Sequence, residues 1–252
     1  MINNTKRPLF VIIIPLILLL TLVNSHAASR GDDLLQEIDG IMNASSYESY
    51  FQIINHTPNG SENRITAYSA KQRDGKAVVL IVAPKKLQGR AVLRLGDDVW
   101  THIPGELHLR KSTLRHSFVG GVFNNIDFLT TSYAIDHKTA IISENKKRYV
   151  LKLIPKSDSI PYKFIEMYVP KKDLRPTKLI QFADHELIIK TIYFDYSKKA
   201  ADGKTVLISM NTVAEDNRKY SSTIKTGDIR KRIFPDMTFT KDILPKVGSI
   251  LK

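Results

Sequence analysis

Residues 96–121 read GDDVWTHIPGELHLRKSTLRHSFVGG and hold Trp100, the only tryptophan of the chain. Aromatic, histidine, proline and basic side chains are crowded here. Three readings are open: a catalytic loop, a nucleic-acid surface, or a hairpin of a larger sheet. Gly96, Asp97 and Asp98 are turn residues, because glycine tolerates positive φ and aspartate bonds its own backbone. They divide GRAVLRL from VWTHIP, and both flanks have strand composition. In a strand, Trp100 and His102 share one face.

The same pattern extends in both directions. Residues 62–84 predict two strands joined at Asp74-Gly75, a strong hairpin signal. Residues 133–155 break at Glu144, Asn145 and Lys146, and residues 162–216 hold four further strands between polar turns. About ten or eleven strands follow one another in antiparallel order. Helices are few. Leu34, Leu35, Ile38, Ile41 and Met42 fall on one helical face, with Asp32 or Asp33 as cap and Gly40 weakening the last turn. A short helix is expected at residues 126–129. Another is expected near the C-terminus, with Thr240 as N-cap and Pro245 limiting its length. No linker or repeat divides the chain. Many alternating strands with little helix to cover them suggest a curved sheet that encloses an apolar space, and a packed sandwich satisfies the same pattern.

Lys6 and Arg7, the apolar run Pro8–Val23, and the small residues Ser25 and Ala27 describe a secretory signal peptide spanning residues 1–27. The run is short for a membrane span and Pro15 interrupts it. Residues 28–252 then form one domain of about 225 residues, large enough for a proper core. Its net charge is +11, down from +13 with the leader. The absence of cysteine leaves stability to packing alone. A basic exported protein points to anionic partners. A membrane surface fits export, whereas nucleic acid does not.

Catalytic and metal motifs are missing. His102, His108 and His116 lack a compact ligand spacing. No G-x-S-x-G elbow occurs, and Ser117 beside His116 is a chain neighbour only. Gly120-Gly121 lacks the lysine of a phosphate loop. The basic runs Lys146-Lys147-Arg148, Lys171-Lys172 and Arg230-Lys231-Arg232 carry no interleaved aromatic platform. They describe a solvated sheet exterior or a membrane-facing rim. The chain is expected not to be an enzyme and to carry no metal or cofactor.

The opening stretch resembles the outer-membrane lipoprotein-sorting family, the LolA/LolB-like superfamily. That family has a segment GDxxWxYxP, a basic pair, and SFxGSDFxxxDL. Here these appear as Gly96–Pro104, Arg110-Lys111, and Ser117–Gly121 followed by Asn125–Leu129. His102 stands in place of the usual Tyr, and Gly121 where Ser is common. A C-terminal FxxxxFT with a following Leu is matched by Phe234, Phe239, Thr240 and Leu244. The resemblance implies a mainly β, strongly curved, unclosed antiparallel half-barrel of about eleven strands, with helices covering its concave face. It also implies a periplasmic carrier or chaperone for lipid or lipoprotein acyl chains. Such a carrier would work as a monomer with an inner-membrane exporter of RND or ABC type, making transient membrane contact. The alternative is a non-catalytic periplasmic sensing or interaction module on the same fold. The expected cavity lining is Phe51, Ile53, Val79, Ile81, Leu93, Leu95, Trp100, Ile165, Met167, Ile180, Phe182, Ile192, Phe194, Leu207 and Met210, or else these residues pack a filled core.

Overall fold

A computed structural model describes residues 30–42, 46–196, 198–199, 205–206, 209–215 and 220–251. The expected leader and Leu207 lie outside the described residues. Helix α1 covers residues 30–42. The first half of the sheet is β1 (Ser46–His56), β2 (Glu62–Gln72), β3 (Lys76–Ala83), β4 (Ala91–Leu95), β5 (Asp98–His102) and β6 (Arg110–Ser112). Two short helices follow, α2 (Asn125–Leu129) and α3 (Tyr133–Asp136). The second half is β7 (His137–Glu144), β8 (Arg148–Pro155), β9 (Phe164–Pro170), β10 (Lys178–Phe182), β11 (Ile188–Asp195), β14 (Ser209–Ala214) and β15 (Ser221–Lys231). A separate ribbon pairs β12 (Lys198–Lys199) with β13 (Thr205–Val206).

The sheet has thirteen strands in the order β6-β5-β4-β3-β2-β1-β15-β14-β11-β10-β9-β8-β7. It is antiparallel and not closed into a barrel, since β6 and β7 remain edges. Short pieces such as the three-residue β6 carry the count above eleven. The first and last strands pair near the centre, with Ile53 opposite Ile224. The register shifts between Ser49 and Phe51 on β1, between Thr66 and Ala67 on β2, and between Gln181 and Phe182 on β10. Such bulges increase local bend and twist.

The two faces carry separate cores. Leu35 and Ile38 of α1 join Phe51, Ile53, Ile65, Val79, Ile81, Leu151, Ile165, Met167, Ile192 and Ile224 on the concave side. On the convex side of β3–β5, Leu80 and Leu93 pack against Phe234, Phe239, Leu244, Val247 and Leu251. The last five belong to the C-terminal segment with its two 3-10 turns, Asp236–Phe239 and Leu244–Ser249. Thr240 therefore does not cap a C-terminal helix. It follows the first turn, and its Oγ1 donates to Met237 O at 2.9 Å. Pro245 lies at the start of the second. Nor is Asp32 a helix cap. Residue 30 is already helical, and Asp32 Oδ1 accepts the backbone N–H of Thr139 on edge strand β7 at 2.7 Å. An unpaired edge donor claims the carboxylate, which also shields that edge.

Candidate functional site

Strands β6 and β7 are at opposite edges, so the chain between them must cross the sheet. Residues 113–136, with α2 and α3, make this crossing over the concave face. Phe128 of α2 meets Phe51 of β1 edge-on at 4.6 Å between centroids and stacks on Phe118 at 4.3 Å.

Buried cations fasten the crossing to the sheet at three points. On one flank Arg94 of β4 pairs with Asp136 of α3, with Nη1 donating to Oδ2 at 3.0 Å. On the other, Lys190 of β11 pairs with Asp127 of α2 and also donates to Val122 O and Asn124 Oδ1, each at 3.0 Å. Asp127 further accepts from Gln181 Nε2 at 2.8 Å, from Asn124 N at 2.8 Å and from Tyr162 Oη at 3.0 Å. Burial, reinforced by Asp127, holds the Tyr162 phenol well above its ordinary range, so it remains a donor. Between the flanks, Lys71 of β2 donates to Phe128 O at 2.8 Å and Thr130 O at 3.2 Å. Burial pulls the Lys71 ammonium down to about 8, and the neighbouring Arg94 charge adds to this.

Helix α1 closes the arrangement from the side. Asp39 accepts from Ser132 Oγ at 2.6 Å, Tyr133 N at 3.0 Å and Ala134 N at 2.8 Å. Burial raises its carboxyl above the ordinary value, against the opposing effect of these bonds.

Beneath the crossing lies a cavity of about 120 Å3. Phe51, Phe128, Tyr133, Phe194, Met210, Ile224 and Ile229 form its apolar wall; Tyr47, Ser49, Ser69, Lys71, Asp127, Thr130 and Thr226 are its polar lining, and Met42 of α1 borders it. Among the described residues, no group of three or more His, Cys, Asp or Glu could hold a metal. No described helix is long and apolar enough to cross a membrane.

This architecture has solved counterparts. A LolA superfamily protein from Nitrosomonas europaea superposes with a TM-score of 0.76 at 21% identity, over 84% of this chain and 98% of that one. A structure from Vibrio parahaemolyticus, described as an outer membrane lipoprotein-sorting protein domain, gives 0.74 at 18% identity over 86% and 99%. A DUF1329 family protein from Desulfovibrio piger gives 0.74 at 16% identity over 86% and 99%. The chain has the LolA-like fold. A family described as "-like: Uncharacterized protein" matches residues 73–246, and the chain belongs to it. No curated protein matches.

Within the LolA-like half-barrel the expected lining residues divide by face. Phe51, Phe194 and Met210 line the cavity. Ile53, Val79, Ile81, Ile165, Met167 and Ile192 lie in the concave core around it. Leu93, Leu95 and Trp100 point the other way, into the convex core. Strand β4 is buried on both faces, with Val92 and Arg94 on the concave side and Ala91, Leu93 and Leu95 on the convex side, so alternation alone points its apolar residues the wrong way; Leu93 and Trp100 are cross-strand partners beneath the C-terminal segment. Ile180 and Phe182 are also convex. Leu179 and Gln181 are the residues paired with concave Met167 and Ile165, and Phe182 stacks on Phe164 at 4.4 Å. Trp100, instead of touching a cavity, sits under Lys241, whose Nζ is 3.5 Å from the ring centroid. The two stretches that carry the family resemblance thus meet in one cluster, as Trp100 packs with Phe234, Phe239 and Leu244.

Charge composition concealed the buried ions. Their phase marks them: Lys71 falls in step with Ile65, Ala67 and Ser69, Arg94 with Val92, and Lys190 with Ile192 and Phe194. A charged residue at a core-facing position of an alternating strand is the available signal.

Proposed function

We propose that the protein is a periplasmic carrier that holds acyl chains of lipid or lipoprotein beneath the crossing segment. Residues 1–27 serve as a removable leader and residues 28–252 as a single lipid-binding domain. The observation that carries this is a cavity with an apolar wall between a curved sheet and a segment fastened to it by separable contacts. Each buried CH2 contributes about 0.8 kcal/mol, so an acyl chain needs no catalytic group to be held.

At about 120 Å3 the cavity is smaller than the few hundred Å3 a lipid-sized ligand occupies. Loading therefore requires the crossing segment to lift. The Lys71 contacts to Phe128 O and Thr130 O are the ones such a motion breaks next to the cavity. Half-buried cations on the convex face, Lys152 over Phe164 and Lys178 over Tyr168, each 4.1 Å from the ring centroid, support contact with an anionic membrane or an inner-membrane exporter.

The test is titration of delipidated protein with fluorescent acyl ligands, together with native mass spectrometry of protein purified without detergent. Saturable uptake and a co-purifying lipid are expected. Flat titrations with every acyl ligand, in protein shown to be folded, overturn the proposal.

A further inference from the structure

One part of the cavity wall is not apolar. The β1–β2 register sets Tyr47 opposite Lys71 and Ser49 opposite Ser69, so the four form a block on the concave face. All four line the cavity. Ser49 and Ser69 share a hydrogen bond of 2.7 Å. An ammonium has three donors. Two of those on Lys71 go to the Phe128 and Thr130 carbonyls. Arg94 and Lys190 each have a buried carboxylate partner, Asp136 and Asp127. Among the described residues Lys71 has none. A cation in an apolar wall is costly unless it is paired.

Further along the strands the wall becomes hydrocarbon. Ile224 and Met210 are cross-strand partners, as are Met210 and Phe194, and Ile224 lies opposite Ile53. Ile53 is four residues beyond Ser49 on β1, roughly 13 Å of strand. At the polar end, partly exposed Ile229 lies opposite Ser49, and Met42 of α1 borders the opening. The polar block is thus near the opening and the apolar wall is deeper.

We infer that this cavity selects an acyl chain bearing one anionic head group, a carboxylate or phosphate seated on Lys71 and the Ser49–Ser69 pair with its chain along Phe51, Ile224, Met210 and Phe194. The inference rests on the carrier proposal and names its ligand class. The two sources of that chemistry are a free fatty acid and an acidic phospholipid.

The charged and titratable groups around Lys71 are Arg94 of β4, Asp127 of α2, Tyr133 of α3 and Tyr47 of β1. Burial keeps both phenols above their ordinary range, and Asp127 is engaged by Lys190. Lys71 is therefore the group that changes charge as pH rises past about 8.

The experiment measures affinities of palmitate, hexadecanol, phosphatidylglycerol and phosphatidylcholine by displacement of a neutral fluorescent acyl probe. At pH 7 we expect the anionic ligand of at least one pair to bind tenfold or more tightly than its neutral counterpart; which pair shows this identifies the source. Raising the pH to 9 should reduce that preference in the unaltered protein, which needs no variant to fold. Lys71→Met should bring the anionic ligand to the level of its neutral partner, and Lys71→Arg should keep the preference. Equal affinities for anionic and neutral ligands overturn the inference and leave the carrier proposal standing. Failure of every ligand to displace the probe, or of the probe to bind, overturns the carrier proposal itself.

Discussion

Arg94 on β4 and Asp136 on α3 form an ion pair inside the protein. The Arg94 side chain is 1% exposed and that of Asp136 6%. The guanidinium also donates through Nε to Gly96 O at 2.8 Å, so the turn of the sequence's GDD stretch, the sheet and the crossing segment share one group.

Removing one partner of such a pair leaves an unpaired buried charge, which costs about 3–5 kcal/mol. Asp136→Ala should therefore destabilise the protein by that amount in urea unfolding. Arg94→Met combined with Asp136→Leu should lose less than Asp136→Ala alone, because no charge is left buried. A larger loss in the double variant would show that the pair acts through something other than charge compensation.

Trp100 lies on the convex side, away from the cavity. Trp100→Phe should lower stability by about 1–3 kcal/mol through lost packing, with acyl-ligand affinity unchanged. Because Trp100 is the only tryptophan, its fluorescence also reports on position. Its emission should stay constant while a bromine-labelled acyl ligand saturates the cavity. Strong quenching would place the ligand on the opposite face.

Gly121 is required by space. A Cβ there would stand 2.1 Å from Asn55 Oδ1 and 2.9 Å from Ser222 Oγ. Those two side chains are already hydrogen-bonded to each other at 2.7 Å in the buried sheet. Gly121→Ala should cost about 1–3 kcal/mol by overpacking. Combining it with Asn55→Ala should recover part of the loss in thermal unfolding, since the nearest obstacle is then removed.

His137 is 2% exposed. Burial lowers its pKa from 6.5, against the opposing influence of Asp136 and its bond to Tyr133 O; Arg94 and Lys156 lower it further. Above pH 6.5 the ring is neutral in both folded and unfolded chains. Below 6.5 the unfolded chain takes up the proton first, so stability falls as pH drops through this range, by up to about 1.4 kcal/mol per pH unit. Asp39, whose carboxyl burial raises above 3.8, acts with the opposite sign, because the folded chain takes up that proton more readily than the unfolded one. Melting temperatures at pH 7.0 and 5.5 should therefore differ more in the unaltered protein than in His137→Asn. An equal drop in both would assign the acid sensitivity elsewhere.

The local signals read from the chain concern short-range chemistry. Asp74-Gly75 joins β2 to β3, and Gly96-Asp97 joins β4 to β5. Asn145 turns β7 into β8, its Oδ1 accepting from Lys147 N at 2.8 Å and Arg148 N at 3.0 Å. The amphipathic helix forms where Leu35 and Ile38 predict a buried stripe, and α2 forms at the expected place. Each of these depends on residues within a few positions of one another.

The sequence by itself determined the antiparallel pairing of chain neighbours, the turns between strands and the family resemblance, because backbone preference and side-chain period are local properties. Only the tertiary structure decided which face of β4, β5 and β10 looks inward. The reason is that the C-terminal segment buries the convex face of β4 and β5, so Leu93 and Leu95 are covered there while the charged Arg94 faces inward, and the period of two read alone points the other way. It also decided that Lys71, Arg94 and Lys190 are inside. Partners for those cations lie 35 to 68 residues away along the chain, in a crossing segment whose path is set by the two edge strands it must connect.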